Sequence, residues 1–130
     1  MRKDQVFTFG SNEAGIHGKG AAKTAMQKYG AQYGKSYGHY GQSFAIPTKD
    51  EFITGGLTLG QIECYIAGFK AYAYSKRKLQ FIVTRIGCGL AGFTDDQIAP
   101  LFKGSPKNCI FDARWYPYLG DDYSYFEGEL

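Results

Sequence analysis

Two glycine-rich loops have the residue types and spacing best suited to chemistry in this sequence. Residues 15–20 read Gly-Ile-His-Gly-Lys-Gly, residues 87–92 read Gly-Cys-Gly-Leu-Ala-Gly, and each loop precedes a predicted helix. Glycine lets backbone N–H groups come close to a phosphate, and the N-terminus of a following helix favours negative charge. Two such loops in one small domain favour a diphosphate or a dinucleotide. Taken alone, either loop is equally well explained as a structural turn, and neither ends in the Gly-Lys-Ser/Thr of a P-loop.

Other reactive side chains are few, and each has an ordinary explanation. Lys49 follows a predicted strand and, on its own, is best explained as a solvated lysine. His17 fits a loop histidine with local backbone hydrogen bonds, and Cys88 fits a small residue between glycines. The three cysteines and two histidines lack the spacing of metal ligands. We therefore expect no metal site and no cofactor.

The predicted elements would bring the two loops to one edge of a sheet. Residues 6–9, 43–46 and 81–83 are short β-rich or continuous apolar runs and predict buried strands. Pro47 is expected to end the second of these strands, and residues 109–111 are expected to form the final one.

Helices are predicted between these strands. The first covers residues 21–29, the second follows a capping box at Thr58, and the third runs from a capping box at Thr94 to about Phe102. Alternation of strands and helices predicts an α/β domain with a largely parallel sheet. Because such sheets bind ligands at the carboxyl ends of their strands, both glycine loops and the segment around Lys49 could converge on one cleft.

Length and charge limit the function classes further. The 130 residues and 14.4 kDa predict a single domain spanning residues 1–130. Residues 1–111 carry a net charge of +7, whereas the aromatic and acidic segment 112–130 carries −4. The positive body indicates an anionic partner such as a nucleotide or a nucleic acid. An odd cysteine count, no apolar run near ~20 residues and no signal-peptide pattern predict a cytoplasmic protein without membrane contact.

Three blocks of the sequence resemble the ligand loops of macrodomains. They are residues 6–22 with Gly10-Ser11-Asn12 and His17-Gly18-Lys19-Gly20, then Ile46-Pro47-Thr48-Lys49, then Arg85-Ile86-Gly87-Cys88-Gly89-Leu90. The later blocks are similar to one branch, the terminal ADP-ribose glycohydrolases and the antitoxins that remove ADP-ribose from DNA. That branch includes small stand-alone phage and bacterial proteins. The resemblance implies a macrodomain-like three-layer sandwich, with a mixed, largely parallel sheet between helices.

The resemblance also implies a cleft for ADP-ribose or for an adduct carrying it. Lys49 falls on the catalytic lysine of this branch, and Asn12 would assist near the distal ribose. The implied ligand-binding residues are Gly10, Ser11, Asn12, His17, Gly18, Lys19, Gly20, Gly87, Cys88, Gly89, Leu90 and Ala91. The implied reaction is hydrolysis of the bond from ADP-ribose C1″ to a DNA base or to a protein side chain.

One departure from the family pattern bears on the reaction. The ester-cleaving relatives place an acid two residues after the second glycine of Gly-Cys-Gly, where this chain has Ala91. The DNA-acting antitoxins also carry a small residue there, so Ala91 fits them better. Asp95 or Asp96 could supply a carboxylate, although both read as first-turn helix residues. A non-catalytic reader of ADP-ribose or of a nucleotide is therefore an alternative function.

Two segments outside the three blocks suggest further partners. The Tyr-Gly pairs of residues 29–41 predict a flexible flap or a self-packed hairpin, and three of these tyrosines could stack on bases. With the positive body, this makes a single-stranded nucleic-acid-binding module a third hypothesis. Trp115, Tyr116 and Tyr118 are expected to cover the sheet edge or to contact a second subunit in a homo-oligomer.

Overall fold

The computed structural model describes residues 1–53 and 55–128, and in this part of the chain the strands form one six-stranded sheet. The strands are β1 (Gln5–Asn12), β2 (Gly38–Tyr40), β3 (Ser43–Lys49), β4 (Gln80–Val83), β5 (Cys109–Asp112) and β6 (Ser124–Phe126). Their order across the sheet is β2-β3-β1-β4-β5-β6. The β2–β3 pair is antiparallel and the other four neighbouring pairs are parallel. The predicted mixed, largely parallel sheet is confirmed.

The helices lie on both faces of this sheet. They are α1 (Gly20–Lys28), α2 (Leu59–Ser75), α3 (Asp95–Ile98) and α4 (Tyr116–Leu119). Both predicted capping boxes are present, and at the start of α2 the Thr58 hydroxyl accepts the Gln61 N–H at 3.2 Å while Gln61 Oε1 accepts the Thr58 N–H at 2.9 Å. A 3₁₀ turn continues α3 to Phe102, as predicted. Among the described residues no helix is long and apolar enough to span a membrane.

Two apolar clusters hold the three layers together. On one face of the sheet, Phe7 and Phe9 of β1 pack with Ala22 and Ala25 of α1. On the other face, buried residues of the inner strands pack against α2, against the turn after α3 and against the C-terminal segment. This face is rich in edge-to-face ring contacts, for example Phe69 with Phe81 at 5.4 Å between centroids. The sheet is therefore covered on both sides, and its carboxyl edge is left for the loops.

The prediction that Pro47 ends its strand is wrong, because β3 continues to Lys49. Pro47 pairs with Ser11 of β1, whereas β2 pairs with β3 only from Ser43 to Ala45. Beyond Ala45 the outer side of β3 has no β2 partner, so the missing N–H of proline costs no ladder bond there. The extension matters because it carries Lys49 next to the end of β1.

The prediction that residues 109–111 form the final strand is also wrong, because β6 follows and pairs with β5 in parallel. Trp115 covers this part of the core, being fully buried at centroid distances of 5.4 Å from Phe102 and 6.2 Å from Phe111. Of the predicted acidic segment 112–130, the last two residues lie outside the described part of the chain, as does Thr54.

The Tyr-Gly segment contributes β2 and its turn rather than a free flap. Tyr40 of β2 pairs with Ser43 across the hairpin. Tyr37 crosses to the α2 side, where its hydroxyl donates to the Tyr65 carbonyl at 3.0 Å. Tyr33 stays 65% exposed. The self-packed hairpin is therefore the arrangement that the structure has.

Candidate functional site

A cavity of about 580 Å³ opens at the carboxyl ends of β1, β3 and β4. Its lining residues are Gly10, Ser11, Asn12, Ile16, Gly18, Lys19, Gly20, Ala21, Ala22, Thr48, Lys49, Ile53, Thr84, Arg85, Ile86, Gly87, Gly89, Leu90 and Ala91. The structure thus brings both glycine-rich loops and the end of β3 to one hollow, as the sheet topology predicts.

Glycine is needed where the first strand and the second glycine loop meet. A Cβ at Gly10 would lie 3.3 Å from the Gly87 nitrogen and 3.5 Å from the Thr48 hydroxyl oxygen. Gly87 itself has a φ of 78°, a left-handed conformation that residues with a Cβ rarely adopt. The backbone of the second loop is therefore packed directly onto the end of β1, and Gly87, Gly89, Leu90 and Ala91 of this loop line the cavity.

Asn12 and Lys49 stand side by side at the ends of neighbouring strands, where a register shift pairs them. The Asn12 side chain holds the following loop, since Nδ2 donates to the Ile16 carbonyl at 2.7 Å and Oδ1 accepts the Ile16 N–H at 3.0 Å. The Lys49 carbonyl accepts the Glu13 N–H at 3.0 Å. Both residues line the cavity, and Lys49 is half-buried there.

Glu13 anchors this corner to the helix layer. Its Oε2 accepts the Tyr65 hydroxyl at 2.7 Å, and this hydrogen bond raises the pKa of Tyr65 to about 12. Tyr65 lies on α2, so the end of β1 is tied across the top of the sheet. The contact leaves Glu13 outside the cavity lining while fixing the backbone that carries Asn12 and Lys49.

Two predicted site residues, His17 and Cys88, are absent from the cavity wall. The His17 ring is buried edge-on against Phe9 at 5.4 Å, and its Nε2 lies 3.0 Å from the Gln32 carbonyl oxygen. The Cys88 thiol of the second loop donates to the Ile86 carbonyl at 3.6 Å, and burial raises its pKa to about 12. A thiol with that pKa is protonated at neutral pH, which argues against nucleophilic use.

Arg85 is a cavity residue that the sequence analysis did not single out. Its Nε and Nη2 donate to the two Asp95 carboxylate oxygens at 2.8 and 2.7 Å, and Trp115 Nε1 donates to Asp95 Oδ1 at 2.7 Å. The hydrogen bond from Arg85 is the main reason why the pKa of Asp95 falls to about 2. Asp95 is therefore ionised and holds Arg85 and Trp115 by hydrogen bonds. Its carboxylate, which the sequence offered as a possible ligand group, is occupied by these two side chains.

The segment after Lys49 forms a further part of the wall. Asp50 Oδ1 accepts the Phe52 N–H at 3.0 Å, and Ile53 lines the cavity with a φ of 60°. The left-handed conformation is strained for a β-branched residue such as Ile53, and no sequence signal predicts it. Ile16 and Leu90, 39% and 65% exposed, add apolar surface at the rim.

The charged groups of the cavity are all basic. Among the described lining residues, Lys19, Lys49 and Arg85 carry charge and none is an aspartate or a glutamate. Because Asp95 neutralises Arg85, the two lysines are the cations available to a ligand. Backbone amides with two amines suit an anion such as a diphosphate.

Comparison with solved structures finds a similar fold in Thermosipho africanus DarTG, whose structure was determined in complex with ADP-ribose. The TM-score is 0.58 at 16% sequence identity, and the match covers 96% of this chain and 38% of the DarTG chain. This chain therefore spans well under half the length of that protein. Searches with protein-family models and against curated proteins give no match. The likeness confirms the α/β, macrodomain-like fold that the sequence predicts.

Proposed function

We propose that the chain binds ADP-ribose, or an adduct carrying it, in the cavity and hydrolyses the bond that attaches ADP-ribose to DNA or protein. The observation that carries the proposal is a wall of two glycine-rich loops and two lysines, without a carboxylate among the described lining residues. A volume of about 580 Å³ suits a nucleotide-sized ligand, within the usual range of roughly 300–1,000 Å³. The similarity in fold to DarTG, which binds ADP-ribose, supports the same ligand.

Lys49 is the residue to which we assign catalysis. In the proposed reaction its amine attacks C1″ of the distal ribose, and the bond to the leaving base or side chain breaks. The proton lost by the amine goes to the leaving group. Water then cleaves the bond between C1″ and Nζ, which restores Lys49 and leaves a hydroxyl on C1″. Asn12, beside Lys49 in the sheet, holds the loop whose residues Ile16, Gly18 and Lys19 line the cavity.

A non-catalytic reader is the second candidate function. It is favoured by the same wall, because Ala91 stands where a carboxylate would assist and Asp95 is held by Arg85. A reader would bind ADP-ribose without releasing it from any adduct. Turnover therefore separates the two candidates, while binding alone does not.

The test combines calorimetry with a release assay on ADP-ribosylated DNA and ADP-ribosylated protein. For Lys49→Ala we expect ADP-ribose affinity within about tenfold of the native protein and release slowed by at least about 100-fold. Lys78→Ala, a lysine before the amino end of β4, is the matched control and should change neither. Absence of binding heat at millimolar ADP-ribose would refute the proposal, and binding with no release on either substrate would favour the reader.

A further inference from the structure

Two stretches of this chain contain basic residues and no acidic ones. Residues 14–49 carry five lysines, and residues 64–94 carry three lysines and two arginines. The first stretch supplies both lysines of the cavity wall, Lys19 and Lys49, whereas Arg85, the cavity residue of the second, is ion-paired with Asp95. A cluster of one sign that long attracts polyanions and raises their association rate.

The fold places residues 14–49 in the half of the sheet that holds β2 and β3, with α1 packed on the face of β1. Lys19 lines the cavity, and Lys23 follows one turn later on α1, about 6 Å along the helix axis. The chain then returns to the loop before α1, where the Gly34 N–H donates to the Gly15 carbonyl at 2.8 Å and the Lys35 carbonyl oxygen lies 3.2 Å from His17 Nε2. We call the exposed residues Lys19, Lys23, Tyr33 and Lys35 together the lysine face.

The side chains of the lysine face are available to a partner. All four are exposed, Tyr33 to 65%. The ion pairs found among residues 1–53 and 55–128 involve none of these lysines. Lysines that lack a carboxylate neighbour are free to bind phosphates, which is how most affinity for nucleic acid arises.

We propose that the lysine face binds the backbone of a single-stranded nucleic acid and leads that strand to the cavity at Lys19. Tyr33 favours a single strand over a duplex, because its exposed ring beside Gly34 can stack on an unpaired base. Binding to the lysine face stands on the charge and exposure of these residues. Only the delivery of a modified strand to the cavity rests on the proposed function.

The test measures binding of an unmodified fluorescent 12-nucleotide DNA strand by polarisation, at 50 mM and 200 mM salt. Lys23→Gln with Lys35→Gln should weaken binding about tenfold at low salt and should make the salt dependence shallower by about 1.4 in log–log slope. Tyr33→Ala should weaken binding about tenfold as well. The matched control is Lys76→Gln with Lys78→Gln, which removes equal charge from an exposed basic run after α2.

Three results would overturn the inference. They are no binding of the strand at 50 mM salt, an equal loss in both double variants, and equally tight binding of polyglutamate, which would indicate an unspecific polyanion surface. Calorimetry with free ADP-ribose on the same variants keeps this test separate from that of the cavity. We expect unchanged ADP-ribose affinity after the Lys23 and Lys35 substitutions. Strand binding by a protein that gives no heat with ADP-ribose would support the lysine face and refute the proposed function.

Discussion

The ion pair between Arg85 and Asp95 allows a direct test of how the second glycine loop is held. Asp95 accepts two hydrogen bonds from Arg85 and one from Trp115 Nε1. Asp95→Asn removes the negative charge but keeps an oxygen that can accept from Trp115. The substitution therefore isolates the ion pair from the rest of the contact.

The expected loss of stability follows from the pKa of Asp95. The folded protein lowers this pKa to about 2, chiefly through the hydrogen bond from Arg85. Against an unfolded value near ~3.9, the shift corresponds to about 2–3 kcal/mol of stabilisation at neutral pH. The two side chains are 28% and 23% exposed, so solvent screens the pair in part. We expect Asp95→Asn to lower the free energy of unfolding by about 1–2 kcal/mol.

The pH dependence has a definite sign. Because the folded pKa of Asp95 lies below the unfolded one, its stabilising effect is fully present above the unfolded value of roughly pH 4 and declines as the pH falls toward 2. The difference between native protein and variant should therefore shrink to roughly half between pH 6 and pH 3. Urea unfolding at the two pH values, followed by circular dichroism and by the fluorescence of the single tryptophan, measures it.

The neighbouring Asp96→Asn is the matched control, since it also removes a charge from the first turn of α3. Asp96 accepts a hydrogen bond from the Thr94 hydroxyl and takes part in none of the ion pairs found among the described residues. Its substitution should change stability by no more than about 0.5 kcal/mol. An equal loss in both variants, or a loss for Asp95→Asn that is the same at pH 6 and pH 3, would show that the pair does not anchor the loop.

Two further substitutions test the loops and the helix that frame the site. Gly15→Ala should destabilise the fold by at least about 2 kcal/mol in thermal or urea unfolding, because Gly15 has a φ of 72° and a Cβ there would lie 2.4 Å from the Gly34 carbonyl carbon. Gly18→Ala, whose Cβ would meet nothing within 4 Å, is its control and should stay near the native stability. Thr58→Ala removes the capping box of α2 and should cost about 1 kcal/mol in the same assay, and no change would show that the cap is dispensable.

The parts of the fold that follow local rules could be predicted from the sequence. The capping boxes at Thr58 and Thr94 gave the starts of two helices, and the apolar run at residues 81–83 gave a central strand. Pro47 misled the prediction, since whether a missing N–H matters depends on which side of β3 has a neighbour. Whether β3 has a partner beside Pro47 depends on where β2 ends, and that pairing cannot be read from the residues around Pro47.

The position of the cavity could be predicted from the sequence, but not which side chains line it or which of them are bonded to other residues. Glycine loops after strands located the wall, because parallel strands end at one edge. His17 is not at that wall, because its ring packs edge-on against Phe9 and its Nε2 lies within hydrogen-bond distance of the Gln32 and Lys35 carbonyl oxygens. Arg85 lines the cavity as one half of an ion pair with Asp95, which in turn accepts from the buried Trp115 indole. The residues next to Arg85 in the sequence give no sign of either contact.

The commitment of Asp95 also restricts the chemistry that this cavity can perform. A hydrolase that relies on a carboxylate needs one free at the wall, yet Ala91 has no acid and the Asp95 carboxylate already accepts three hydrogen bonds. Freeing Asp95 would leave Arg85 and the Trp115 N–H without their acceptor, at a cost that exceeds a typical hydrogen bond. The wall hydroxyls of Ser11, Thr48 and Thr84 each donate to a backbone carbonyl, which favours Lys49 or Lys19 as the nucleophile of the proposed hydrolysis. Binding of ADP-ribose without turnover would favour the reader instead.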